Sequence, residues 1–286
     1  MNPSELLKNI SFNLSSVGSC KVGTEWNYRN IISSFSRLYL VTDGEASIYI
    51  GEERIHLKKG HLYLIPSFTH CSYVCENELS HYYATFTIQL RNNLSIYQLF
   101  NFNYEIEASV EHSDYFKRLY ETNPNMELPA KDPRIYQRLS SKSWNHPIYD
   151  ADRSLTSSGL LYLLLSKFVG YPKIDLEKGD ASDILLSLKY IHSNLETELT
   201  VTRLAELSCL STGHYTRKFK QLMQLTPLDY INKQRIEKAQ LLLNTTSQSC
   251  IEIAEACGYK SNAYFCKVFK KHIGKSPGEY RINQVL

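Results

Sequence analysis

The hydrophobic pattern changes period along the chain. Over residues 36–90 apolar and polar positions alternate in short runs, the period of strands with one face buried. The runs are 37–41, 46–50, 54–57, 61–65 and 81–89, and the turn residues Asp43-Gly44, Gly51-Glu52-Glu53 and Lys58-Lys59-Gly60 separate the first four. Pro66 ends one strand, and the segment from there to Tyr73 reads as a loop or bend. Several short strands at near-even spacing predict a small barrel or sandwich. From about residue 107 the spacing becomes helical, in HSDYFKRLYE and in SLTSSGLLYLLLSKFVGY, with loops around 123–133 and 144–150 between them. Leu160, Leu161, Leu164 and Phe168 fit a buried helical face, with a share in a dimer contact as the alternative use. Residues 171–182 (YPKIDLEKGDAS) read as a linker.

Beyond that linker nearly every segment is helical. Leu185, Leu188, Ile191 and Leu195 make one apolar stripe. Thr200 precedes a short helix over 201–207, and Ser211 starts another that runs to about Met223. Thr226 with Pro227 opens a long helix to about Leu243, Thr as the cap and Pro in the first turn. Ser249-Cys250-Ile251-Glu252 has capping-box spacing, Ser261 opens the next helix, and Pro277 starts a last short one.

Within this half the chain repeats itself. Residues 214–230 (HYTRKFKQLMQLTPLDY) and 264–280 (YFCKVFKKHIGKSPGEY) share Phe219/Phe269, Lys220/Lys270, Pro227/Pro277 and Tyr230/Tyr280. Each copy reads as a short helix, a tight connection and a second helix, with Ala205 and Ala254 allowing close approach and Gly258 suited to a left-handed end. That is the pattern of a helix-turn-helix. Tyr215, Phe219 and Leu222 fall on one face of the first copy's second helix, leaving Thr212, Gly213, Thr216, Arg217 and Lys220 outside. In the second copy Phe265, Val268, Phe269 and Ile273 turn inward, leaving Asn262, Ala263, Cys266, Lys267, Lys270 and Lys271 outside. Such small, polar and basic faces suit a major groove: Arg217 and Lys267 can donate to guanine, Asn262 can pair with adenine, and Lys220, Lys270 and Lys271 suit phosphates. A helix over 227–243 spans about 25 Å and, with the domains at its ends, can hold two such helices about 34 Å apart, one turn of duplex.

Charge supports the same half. The net charge of the chain is +3, but residues 183–286 hold 14 Lys/Arg against 9 Asp/Glu, and residues 1–182 hold 18 against 20. The seven cysteines have no regular spacing, which argues against a disulfide scaffold. His70, Cys71 and Cys75 lack a second cluster to complete a metal site, so they read as ordinary reduced thiols and a loop histidine. The longest apolar run, around 160–165, is too short to cross a bilayer, and the N-terminus has no export pattern, which points to the cytoplasm.

The stretch from about 184 to 281 resembles the DNA-binding domain of the AraC/XylS family of bacterial transcription regulators. The resemblance is carried by Tyr190-Ile191-His192-Ser193-Asn194-Leu195, Tyr230-Ile231-Asn232, Arg235-Ile236-Glu237-Lys238-Ala239, Cys257-Gly258-Tyr259 and Ser276-Pro277-Gly278-Glu279-Tyr280-Arg281. It implies two helix-turn-helix units joined by a long helix, binding asymmetric promoter sites. By position it gives the base-reading roles to Thr212, Gly213, Thr216 and Arg217 and to Asn262, Ala263, Cys266 and Lys267. Gly213 and Ala263 are small where the family often places larger contacting side chains.

The 36–90 region resembles the cupin-like ligand-binding domain that many of these regulators carry, which implies a small effector, a sugar or another metabolite, and a homodimer. The expected organisation is a cupin-like β sensor over 1–106, a helical connection over 107–170, a linker over 171–182 and a double helix-turn-helix over 183–286. His81, Tyr83 and Thr85 share one face of a strand, and with Trp26, Tyr39 and Tyr73 they are the candidate ligand contacts. A cupin enzyme needs two close His and an acid on adjacent strands; His56, His61, His70 and His81 form no such set, so no metal, cofactor or catalytic residue is expected. The expected partners are promoter DNA, an effector, and RNA polymerase if the protein activates. The alternatives are a regulator controlled by a protein partner and a sequence-tolerant chromosomal binder.

Overall fold

The protein is described here by a computed structural model covering residues 10–90, 95–133, 150–172 and 180–283. The expected loop at 144–150, apart from Asp150, and residues 173–179 of the expected linker lie outside the described residues. The chain divides into two compact units, one holding Ser11–Ile88 with Asn101–Gly170, the other Gln89–Phe100 with Tyr171–Leu286.

The first unit is mainly β. Its strands are β1 (Ile10–Val22), β2 (Asn27–Ile31), β3 (Ser36–Ile50), β4 (Glu53–Lys58), β5 (His61–Ile65), β6 (Cys71–Val74) and β7 (Leu79–Leu90). The chain then passes through α1 (Ile96–Leu99), which belongs to the other unit, before β8 (Phe100–Phe102) and β9 (Glu105–Glu107). The long β3 serves two groups of strands. Its first part pairs with β5 and β7, and its second part with β4 and β6, all antiparallel. The register shifts between Val41 and Asp43, where Gly44 takes φ +70. A Cβ at Gly44 would meet the Glu78 carbonyl oxygen at 2.1 Å, so only glycine fits this crossing. Asp43-Gly44 is therefore a bulge inside one strand, not the turn its composition predicts; glycine supplies positive φ to both. One other expectation changes. Residues 71–74 are a strand rather than a loop, and two strands, β1 and β2, precede the 36–90 region. The main strand order, β1-β7-β3-β5-β9, ends on β1 and β9, so the strands do not close a ring among the described residues.

Inside lies an aromatic core that includes Trp26, Tyr39, Tyr63, Tyr73 and Tyr83. Two helices, α2 (Val110–Thr122) and α3 (Ala151–Ser166), pack on this unit. Tyr82 on β7 meets Phe116 and Tyr120 of α2, while Phe12 on β1 meets Tyr162 of α3 edge-on at 4.7 Å. Asn123 ties the pair together by donating from Nδ2 to Ser157 Oγ at 2.8 Å. Leu160, Leu161, Leu164 and Phe168 are buried as their spacing predicts. Past Phe168 the chain is extended as β10 (Val169–Pro172) rather than helical.

The second unit is helical: α4 (Asp180–Ser193), α5 (Val201–Leu207), α6 (Thr212–Met223), α7 (Pro227–Thr245), α8 (Cys250–Ala256), α9 (Asn262–Ile273) and α10 (Pro277–Asn283). Every predicted N-cap is one. Thr200, Ser211, Thr226, Ser249 and Ser261 each accept a bond from the backbone N–H three residues on, and Ser249 and Glu252 complete a capping box. The repeated aromatics are two equivalent cores. Tyr215, Phe219 and Tyr230 contact one another in series at 5.6 and 5.4 Å, and Phe265, Phe269 and Tyr280 do so at 5.6 and 5.5 Å. All six are buried, which is why the sequence repeats them. No helix among the described residues is long and apolar enough to cross a membrane.

Candidate nucleic-acid interface and ligand cavity

Both helix-turn-helix units turn in the same way. The backbone N–H of Leu210 donates to Ala205 O at 3.0 Å in the first, and that of Tyr259 to Ala254 O at 2.9 Å in the second. The residue entering each turn is left-handed: Cys209 at φ 53 and Gly258 at φ 77. Cys209 is exposed and has room for its side chain, whereas a Cβ at Gly258 would lie 2.3 Å from Leu195 O. The small Ala205 and Ala254 are buried at the contact between the helices.

These turns leave α6 and α9 with one face in the core and one in solvent. Thr212, Gly213, Arg217 and Lys220 are exposed on α6, as are Asn262, Ala263, Lys267, Lys270 and Lys271 on α9. Thr216 and Cys266 are half-buried at equivalent positions. The Thr216 hydroxyl donates to Thr212 O at 2.8 Å, and the Cys266 thiol reaches Asn262 Oδ1 at 3.8 Å. His214 and Tyr264, also equivalent, are exposed in the first turn of each helix and fall outside the face assigned from the sequence. The first turn of a helix spreads its residues around the axis, so a strict inward/outward division misses them. Each exposed face thus has a small, polar start and a basic continuation, the order in which a helix entering a groove meets base edges and then phosphates.

The first unit contains a cavity of about 60 Å³, room for a few waters or part of a small ligand. Strand register builds it. Arg37 faces Thr85, Tyr39 faces Tyr83 and Val41 faces His81 across β3 and β7, so period-two alternation puts Arg37, Tyr39, His81, Tyr83 and Thr85 on one inner surface. Cys20 and Val22 from β1, Trp26, and Leu128, Ala130 and Lys131 from the loop after α2 complete the lining. That loop is tied down by Val17 N–H donating to Met126 O at 2.8 Å, Leu128 N–H donating to Tyr83 OH at 2.9 Å, and Lys131 Nζ donating to Lys21 O at 2.9 Å.

Of the six ligand candidates, Trp26, Tyr39, His81, Tyr83 and Thr85 line this cavity. Tyr73 stands behind it, accepting a bond from Arg37 Nη1 and sharing one with Tyr39 OH at 3.3 Å. Sequence reading missed Arg37, Cys20 and Lys131. The first lies two residues before Tyr39, so alternation was a usable signal; Lys131, on a loop, gave none. A charged residue in a strand reads as solvent-facing, yet Arg37 is fully buried. Cys71 and Cys75 are buried thiols that donate to Ile31 O and Glu45 O.

Burial sets the protonation of this surface. It pushes the Cys20 thiol up to about 11 and the Tyr39 and Tyr83 hydroxyls up to about 12. It pushes His81 down to about 4, so His81 is neutral near pH 7, with Nε2 3.5 Å from Cys20 Sγ. The unfolded chain takes up that proton near the ordinary value of about 6.5, before the folded chain does. Stability contributed by neutral His81 is complete above about pH 6.5 and is lost as pH falls toward about 4. The expected result is a melting temperature that falls across this window and falls less in His81→Asn. An equal slope in both proteins contradicts a buried, neutral imidazole.

Comparison with known proteins bears on both units. Residues 204–283 match the helix-turn-helix domain family. The chain is 22% identical over 281 residues to the Msm operon regulatory protein of Streptococcus mutans, covering 96% of this chain and 94% of that one. It is 27% identical over 235 residues to the raffinose operon transcriptional regulatory protein RafR of Pediococcus pentosaceus, covering 79% and 76%. The melibiose operon regulatory protein of Escherichia coli is 35% identical over 94 residues, covering 33% of this chain and 31% of its own length. Residues 204–283 are thus an AraC-type helix-turn-helix domain that follows a mainly-β unit in the chain, and the relatives matched along the chain are operon regulatory proteins.

Proposed function

We propose that residues 183–286 read promoter DNA through Thr212, Gly213, Thr216, Arg217 and Lys220 on α6 and Asn262, Ala263, Cys266, Lys267, Lys270 and Lys271 on α9. The observation that carries this is the paired geometry: two N-capped helices, each anchored by the same aromatic trio, present equivalent small, polar and basic faces. Arg217 and Lys267 occupy equivalent positions and read base edges, while Lys220, Lys270 and Lys271 hold phosphates. Selection from a random duplex pool by the full chain tests it. The expected result is a bipartite site with its parts about 10 base pairs apart, one helical turn; recovery of unrelated sequences would favour a sequence-tolerant binder.

On this reading residues 1–106 are a cupin-like sensor, 107–170 a helical connection, 171–182 a linker, and the working protein is a homodimer in the cytoplasm that contacts RNA polymerase when it activates. The role is binding, and we assign no reaction to the chain. The sensor takes a small polar metabolite in the cavity bounded by Trp26, Tyr39, His81 and Tyr83, with Tyr73 behind it. Aromatic faces with hydroxyl and imidazole edges suit a sugar, and RafR, a relative over most of this chain, is named for the raffinose operon. Bound effector shifts the protein between arrangements only through different affinity for each. Thermal melting against a sugar panel is expected to give a stabilising ligand in the full chain and a much smaller shift in Tyr39→Phe, which removes one hydroxyl. No response to any metabolite would favour control by a protein partner.

A further inference from the structure

Two reading helices must be held at one spacing and one rotational phase to enter successive grooves together. The 19-residue α7 sets a length, but a single helix leaves the part at its end free to pivot. The structure adds a second connection. Residues 194–200, between α4 and α5, belong by sequence to the first helix-turn-helix, yet α7 and the second helix-turn-helix both hold them. Arg235 Nε donates to Leu195 O at 3.0 Å and its Nη2 to Thr197 O at 2.7 Å. Lys238 Nζ pairs with Glu196 at 2.5 Å and donates to Ala256 O, the last residue of α8, at 2.8 Å. Gly258 lets the second turn lie directly against Leu195 O and Glu196. The next residue, Tyr259, donates to Asn232 Oδ1 at 3.3 Å, under the Arg235 guanidinium 5.3 Å from its ring. Lys260 pairs with Glu198 at 2.7 Å, an exposed contact of small energetic weight.

We infer that the 194–200 loop is a bracket that locks the two helix-turn-helix units at a fixed spacing and phase, with Arg235, Lys238 and Gly258 as positioning residues for DNA recognition that do not touch DNA. The inference rests on the two-helix reading proposed above. Its physical content is preorganisation: a bracketed pair presents the second helix at high effective concentration only on sites of the matching spacing. Loosening the bracket leaves each helix able to read its own element but removes the penalty on wrong spacings.

The test is selection of duplexes from a random pool by the full-length wild type and by Arg235→Gln/Lys238→Met, with melting curves on both. The wild type is expected to recover the two elements at one spacing. The variant is expected to recover the same elements at several spacings and to discriminate about tenfold less against a one-base-pair insertion. Should the double variant fail to melt cooperatively, Lys238→Met alone is read in the same way, with a smaller broadening expected. A folded variant that keeps the single wild-type spacing overturns the bracket while leaving two-helix reading intact. Wild-type sites with only one element overturn both.

Discussion

Gly258→Ala is expected to cost the helical unit about 3 kcal/mol or more, whereas Gly274→Ala costs about 1 kcal/mol. Both glycines are left-handed, at φ +77 and +81, so alanine pays the same conformational penalty at each. Their surroundings differ. Nothing lies within 4 Å of a Cβ at Gly274, while one at Gly258 meets Leu195 O at 2.3 Å and the Glu196 carbonyl carbon at 2.9 Å. The Leu195 carbonyl cannot step back without losing the bond that it accepts from Arg235 Nε. The added methyl must then separate the second turn from the 194–200 loop. Denaturant unfolding of the two variants beside the wild type measures the difference, and equal losses would show that crowding at Gly258 is relieved cheaply. Cys209, with the same turn conformation but an exposed side chain, is the internal comparison: the first turn tolerates a side chain because no backbone covers it.

Arg217→Ala is expected to weaken binding to the selected DNA site by about 1–3 kcal/mol and to relax preference at one base pair. The side chain is exposed beyond the buried Tyr215 and Phe219, so its removal spares the core. Lys270→Ala makes a different change. Lys270 lies one turn further along the equivalent helix, exposed beside the buried Phe269, and its loss is expected to weaken all sequences alike and to lower the salt slope by about 1. Competition titrations against single-base variants, repeated at several salt concentrations, separate the two. Arg217→Ala with unchanged relative affinities would move that side chain from bases to phosphates, and a sequence-confined loss in Lys270→Ala would do the reverse.

The helical half was more legible in the sequence than the β half, for a physical reason visible in individual residues. A cap is a local bond: Ser211 reaches the N–H of His214 and Ser249 that of Glu252, so the signal and its consequence lie within three residues. The helices between caps follow from 3.6-residue spacing in the same window. In the β half, Asp43-Gly44 marks a bulge whose need for glycine comes from Glu78, far along the chain. A composition rule for turns cannot see that contact. The 71–74 strand pairs with β2 and β3, both distant in sequence, and had only four residues in which to declare a period.

The candidate sites divide the same way. Both exposed faces of α6 and α9 follow from helical phase, and the repeat revealed them because the same aromatic trio had to be buried twice. The cavity was only half legible: alternation points Arg37, Tyr39, His81 and Tyr83 inward, but nothing local says that Arg37 is buried as a cation or brings Lys131 and Leu128 into the lining. By itself, then, the sequence determined the helices, their caps, their inward and outward faces, and the duplication, since these depend on interactions a few residues long. Only the tertiary structure decided the crossing of β3 at Gly44, the lining of the cavity, and the hold of Arg235 and Lys238 on the 194–200 loop, because each depends on which distant backbone lies alongside.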